Sequence, residues 1–126
     1  MPYDYKKLEY WLKNRKNNIL IMGVVNVTPD SFSDGGLYFK PRDALEHAKK
    51  LISEGADILD IGGESTRPGS DPVSVQEEID RTIPLIESII SFNPNCVVSI
   101  DTYKSEVAEK AILAGATMVN DISGLT

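Results

Sequence analysis

Ile19-Leu20-Ile21-Met22-Gly23-Val24-Val25-Asn26-Val27-Thr28-Pro29-Asp30-Ser31-Phe32-Ser33-Asp34-Gly35-Gly36 runs from an apolar stretch straight into a long polar one. The first part reads as a buried strand, and the second as a loop crowded with hydroxyl, carboxamide and carboxylate groups. In α/β proteins ligands sit at that end of a strand.

The same order repeats downstream. Ala44, Leu45, Ala48, Leu51 and Ile52 give helical spacing from Pro41 to Glu54, and Gly55 supplies a left-handed stop. Asp57 to Gly62 is a second strand, followed by the irregular loop Gly63-Glu64-Ser65-Thr66-Arg67-Pro68-Gly69. Ser74 with Glu77 forms a capping box for a helix striped by Ile79, Ile83, Ile86 and Ile90, which Pro84 is expected to bend or loosen. Val97 to Asp101 is a third strand, Lys104 to Ala114 a third helix stopped at Gly115, and Thr117 to Asp121 a fourth strand. Upstream, Leu8, Trp11 and Leu12 share one face between Asp4 and Arg15, predicting a short amphipathic helix that caps or plugs the sheet.

Successive β-α units imply a parallel sheet with right-handed crossovers, either a doubly wound open sheet or part of a (β/α)8 barrel. Every strand ends in polar residues: Asn26; Glu64 with Thr66 and Arg67; Asp101; Asn120 with Asp121. An open sheet needs such ends only at its switch point, whereas a barrel gathers them all over one mouth, so the barrel is favoured. A barrel occupies roughly 250 residues, so residues 1–126 are expected to be one partial domain, the N-terminal half, ending after its fourth strand.

With 41% hydrophobic and 25% charged residues the composition is that of a globular domain, and a formal net charge of −6 without a basic run argues against nucleic-acid binding. Cys96 has no internal disulfide partner and reads as buried. The N-terminus lacks a signal-peptide core, and no apolar run approaches the roughly 18 residues that a membrane span needs. A cytoplasmic protein with a small-molecule ligand is expected.

Asn26 offers a neutral oxygen suited to a hydrated hard cation such as Mg²⁺, or else forms a turn. Asp30 and Asp34 fit turns better than metals. Arg67 beside Thr66 and Pro68 presents a fork for phosphate or carboxylate, or pairs with Glu64 at the surface. Asp101 is delivered by a strand to the mouth, where a carboxylate can bind a heterocycle or stabilise positive charge; its alternative is to N-cap the next helix. Asn120 has the paired donor and acceptor that read a nitrogen-heterocycle edge. His47 lies on a helix away from the strand ends and is assigned no catalysis. Nucleophilic triads, zinc spacings and Walker loops are missing from the sequence.

Four blocks, Gly23 to Gly36, Asp60 to Gly69, Ser99-Ile100-Asp101-Thr102 and Asn120-Asp121-Ile122, together resemble the dihydropteroate synthase family of folate biosynthesis. The resemblance implies a TIM-barrel transferase that condenses 6-hydroxymethyl-7,8-dihydropterin pyrophosphate with 4-aminobenzoate, releasing pyrophosphate. By the same resemblance, Asn26 helps bind Mg²⁺ and pyrophosphate, and Asp101 and Asn120 hold the pterin, with Asp101 the catalytic residue stabilising a pterin cation. Thr66, Arg67, Pro68 and Ile122 join the substrate-binding set. Thr28, Asp30, Ser31, Phe32 and Ser33 belong to a mobile loop that closes over the site. The family's later strands supply another Asp, a Lys, an Arg and a His, so the chain by itself is expected to recognise ligand with little turnover. Two other readings are a methyltransferase domain binding methyltetrahydrofolate, and an inactive half-barrel that self-associates. Open edges at the first and fourth strands lead to the expectation of a homodimer.

Overall fold

Short runs rich in valine, isoleucine and leucine, each followed by a segment of helical spacing, set the architecture. A computed structural model describes residues 20–28, 38–64 and 72–121, with Lys6, Glu9 and Lys13, which are helical and exposed. Those three agree with the upstream helix; the rest of that segment lies outside the described residues. The elements are β1 (Met22–Val27), β2 (Tyr38–Phe39), α1 (Pro41–Ser53), β3 (Ile58–Gly62), α2 (Val75–Phe92), β4 (Val97–Asp101), α3 (Ser105–Ala114) and β5 (Met118–Asn120).

Local chemistry accounts for the helix ends. Lys40, ahead of Pro41, is extended at φ −63° and ψ 158°, as the residue before proline must be, and α1 starts at the proline. Ser74 Oγ accepts a hydrogen bond from the Glu77 amide at 3.1 Å, one arm of the expected capping box. The Glu77 carboxylate instead turns to Arg81, 3.4 Å away. α2 runs from Val75 to Phe92 with Pro84 inside it. Gly115 ends α3 at φ +126°, and a Cβ there would lie 2.7 Å from Ile90 Cγ1, so the position requires glycine both for its backbone and for the approach of α2.

All five strands are parallel, in the order β2-β1-β3-β4-β5. β1, β3, β4 and β5 follow one another without reversal, so right-handed crossovers put α1, α2 and α3 on the same face. A doubly wound sheet would change direction at a switch point; this winding is that of one half of a (β/α)8 barrel.

The main apolar cluster lies on the side that the helices cover. Val25, Val27, Leu59, Ile61, Val98 and Ile100 cluster with Ala44 and Ala48 of α1, Leu85, Ile86 and Ile89 of α2, and Val107 and Ala111 of α3. Each fully buried Ile or Leu contributes about 1.5–3 kcal/mol relative to exposure. The opposite, barrel-facing side of the strands carries Met22, Val24 and Asn26 on β1, and by register Ile58, Asp60 and Gly62, then Val97, Ser99 and Asp101, then Met118 and Asn120.

Two expectations change. The first strand is expected to be buried throughout, yet Met22 is 43% and Val24 50% exposed, although Ile58, Asp60, Val97 and Ser99 on the same face of β3 and β4 are buried. The sequence predicts four strands and the described residues form five: the extended approach to Pro41 pairs Tyr38 and Phe39 with Asn26 and Val27. Among the described residues, β2 therefore covers the outer edge of β1 at Asn26 and Val27. Cys96 is buried, as expected. No helix among the described residues is long and apolar enough to cross a membrane.

Candidate functional site

Register brings three of the expected residues into one row. Asn26 on β1 is opposite Gly62 on β3, Gly62 opposite Asp101 on β4, and Asp101 opposite Asn120 on β5. Parallel pairing with a two-residue side-chain period points all four to the barrel-facing side at the carboxyl ends of the strands. Gly62 is the gap in this row: a Cβ there would lie 3.0 Å from Asn26 Oδ1 and 3.6 Å from Asp101 Oδ2. The missing side chain leaves the Asn26 and Asp101 side-chain oxygens bordering one space.

Asp101 is half-buried, and its carboxyl is pushed up to about 6, first by burial and then by the negative charges of Asp60, Glu78 and Asp121. It does not cap α3. The N-cap is Lys104, and the local hydrogen bond there runs from the Lys104 amide to Thr102 Oγ1 at 3.1 Å. The carboxylate is thus left to the mouth of the barrel.

Beneath this row lies a second: Val24, Asp60, Ser99 and Met118. Asp60 is 3% exposed, and its Oδ2 accepts a hydrogen bond from Asn120 Nδ2 at 3.2 Å. Burial raises the Asp60 carboxyl above the ordinary carboxylate range, opposed by the polar side chains of Ser99 and Asn120.

A third group anchors the flank of the site. Lys104 Nζ donates to Glu78 Oε1 at 2.6 Å, to the Val73 carbonyl at 2.8 Å and to Glu64 Oε1 at 3.2 Å, using all three of its protons. Glu64 Oε2 accepts from the Val73 amide at 2.8 Å. Burial alone would raise the Glu64 carboxyl; the Val73 amide and the Lys104 ammonium outweigh it and hold the group below its ordinary range. Burial likewise disfavours the Lys104 cation, and Glu78 and Glu64 more than restore it. Gly63 packs against Thr82, and its carbonyl accepts from Arg81 at 2.8 Å. Glu64 and Val73, the two residues tied together here, flank the stretch that carries Thr66, Arg67 and Pro68.

Asn26, Asp101 and Asn120 are therefore assembled on one side of the sheet, with Thr28 half-buried just past β1. Asp30, Ser31, Phe32, Ser33, Thr66, Arg67, Pro68 and Ile122 lie outside the described residues. Asp60 and the Lys104 cluster escaped the sequence reading, although Asp60 inside an apolar strand, two residues before Gly62, was a visible signal. No group of three His, Cys, Asp or Glu able to hold a metal occurs among the described residues. The space beside Gly62, with its one carboxamide and one carboxylate oxygen, fits a cation that keeps most of its water, as Mg²⁺ does.

The family model for pterin binding enzymes matches residues 22–126, the whole of this sheet and its helices. The chain belongs to the pterin binding enzyme family. Among members of this pterin-binding family, dihydropteroate synthase of Bacillus subtilis is 55% identical over 86% of the chain and 38% of its own length. The structure of Xanthomonas albilineans dihydropteroate synthase with 4-aminobenzoic acid superposes with a TM-score of 0.75 at 52% identity, covering 84% of this chain and 39% of that one. Burkholderia cenocepacia dihydropteroate synthase complexed with 7,8-dihydropteroate gives a TM-score of 0.71 at 44% identity, covering 87% and 35%. The chain spans about two fifths of the length of these relatives, 35–39% of the two solved structures and 38% of the curated one.

Proposed function

We propose that the chain carries part of the active site of a dihydropteroate synthase, the transferase that joins 6-hydroxymethyl-7,8-dihydropterin pyrophosphate to 4-aminobenzoate. The observation that carries this reading is the row Asn26, Gly62, Asp101 and Asn120 at one strand end, in a chain 55% identical to such a synthase. Solved relatives named with 4-aminobenzoic acid and with 7,8-dihydropteroate bound support the choice of substrates.

In the reaction the C–O bond between the pterin methylene and pyrophosphate breaks, the oxygen keeps the electron pair, and the amine of 4-aminobenzoate forms a C–N bond and loses a proton. Positive charge develops on the pterin side. Asp101, half-buried and unused as a helix cap, is placed to stabilise that charge and to accept from a ring N–H. Asn120 reads the neighbouring ring edge, and Ile122 completes the substrate-binding set. Thr66, Arg67 and Pro68 meet the anionic substrates through the Arg67 fork, and Thr28, Asp30, Ser31, Phe32 and Ser33 form the covering loop. Asn26 Oδ1 would hold Mg²⁺, which when bound offsets the charge of the departing pyrophosphate. None of these roles requires an enzyme nucleophile; holding two substrates in line supplies much of the rate. The same reading places the protein in the cytoplasm, as a homodimer.

Calorimetric titration of the folded chain with 6-hydroxymethyl-7,8-dihydropterin pyrophosphate, with and without Mg²⁺, tests the proposal. Binding that depends on Mg²⁺ is expected. A folded sample that takes up no ligand in either buffer would refute recognition by this set of residues.

A further inference from the structure

Asp60 is a costly residue where it stands. It is 3% exposed, one row below the site, and its Oδ1 has no hydrogen-bond partner among the described residues. Burying a carboxylate with so little compensation is unfavourable unless it does something that an apolar residue could not.

Its hydrogen bond with Asn120 identifies that task. An ionised carboxylate only accepts, so it selects the amide end of Asn120, whose Nδ2 lies 3.2 Å from Asp60 Oδ2. Turning the carboxamide over would bring two oxygens face to face inside the sheet and break the bond. The Asn120 oxygen must then point away from Asp60. Asp101, opposite Asn120 in register, is also an acceptor, so this flank of the site presents acceptors side by side.

We propose that Asp60 is a positioning residue that fixes the Asn120 carboxamide with its oxygen toward the strand-end site, and so sets a preference for ring edges bearing amino or N–H donors over edges bearing carbonyl oxygens. The proposal rests on the pterin reading above for the identity of the ring. Selectivity of this kind comes from the polar group that a wrong ligand leaves unpaired.

The test compares two ligands, 6-hydroxymethyl-7,8-dihydropterin and its analogue with an oxo group replacing the 2-amino group, on the wild type, Asp60→Leu and Asp60→Asn. The wild type should favour the amino ligand. Asp60→Leu frees Asn120 to rotate and should cut the ratio of affinities roughly tenfold, whereas Asp60→Asn, whose side-chain oxygen can still accept from Asn120, should keep most of it. A folded Asp60→Leu with an unchanged ratio, or one that weakens both ligands equally, would overturn the proposal. A ligand-free readout covers the case in which Asp60→Leu does not fold. Nuclear Overhauser contacts from the Asn120 side-chain NH₂ to the Asp60 methylene in the wild type are expected, and their absence overturns the assignment. If the wild type binds neither ring, the pterin reading fails, and these contacts still decide the orientation of Asn120.

Discussion

Replacing Lys104 with methionine keeps an unbranched side chain and removes the ammonium that links three chain segments. Glu78, 1% exposed, would keep a buried charge with no cation, while Glu64 would retain the Val73 amide. An ion pair at the protein surface is worth about 0–1 kcal/mol, but stripping one partner from a buried pair costs about 3–5 kcal/mol. The exposures of 15% and 1% for the two side chains place this pair in the second class. A loss of that size is a large part of a typical total stability of about 5–15 kcal/mol. With a urea slope of about 1–3 kcal/mol/M, the unfolding midpoint should fall by on the order of 1–5 M. Changing both partners, Lys104→Met with Glu78→Gln, removes the stranded charge and should recover most of the loss. Urea unfolding followed by circular dichroism measures all three proteins. A midpoint shift in Lys104→Met below about 0.5 M, or a double variant no more stable than Lys104→Met, would refute the buried-charge argument.

The raised carboxyl of Asp101 makes a pH prediction. Folding disfavours its ionised form, so the stability it contributes is complete below the unfolded value of 3.8 and is lost as pH rises through about 6. The stability of the wild type relative to Asp101→Asn should therefore decline between about pH 4 and pH 6, and an offset that stays constant across this range would contradict the shift. Gly62→Ala would place a Cβ 3.0 Å from Asn26 Oδ1 and intrude on the space beside Asp101. Calorimetry should show Mg²⁺-dependent ligand binding weakened roughly tenfold or more with little change in melting temperature; undiminished binding would mean that the gap is not used.

The fold was legible in the sequence wherever period and punctuation agreed. Ile58 to Gly62 and Val97 to Asp101 have the length and composition of buried parallel strands, and Pro41, Ser74, Gly55 and Gly115 mark helix ends at which the structure also begins or stops its helices. β2 was missed because two residues carry no periodicity; its pairing depends on Lys40 being held extended before Pro41. The exposure of Val24 was equally hidden, since hydrophobicity reveals that a residue seeks burial and not whether its position in the sheet provides it. For the site, strand-end polarity pointed to Asn26, Asp101 and Asn120, and register then placed them in one row. Asp60 and Lys104 act through side chains distant in sequence, 60 residues away for Asp60–Asn120 and 40 for Lys104–Glu64, and no local pattern encodes such a partner.

The hydrogen bond between Glu64 and the Val73 amide has a consequence for variation and engineering. Because the framework already holds these two points together, the ring between them is closed whatever its length, and doubling a flexible loop adds only about 0.6 kcal/mol of closure entropy. The chain between Glu64 and Val73 can thus lengthen or shorten at small thermodynamic cost, while Glu64, Glu78 and Lys104, which act through their side chains, cannot change singly without loss. Insertions made there, for a reporter or for an altered substrate range, should leave the sheet and its three helices intact.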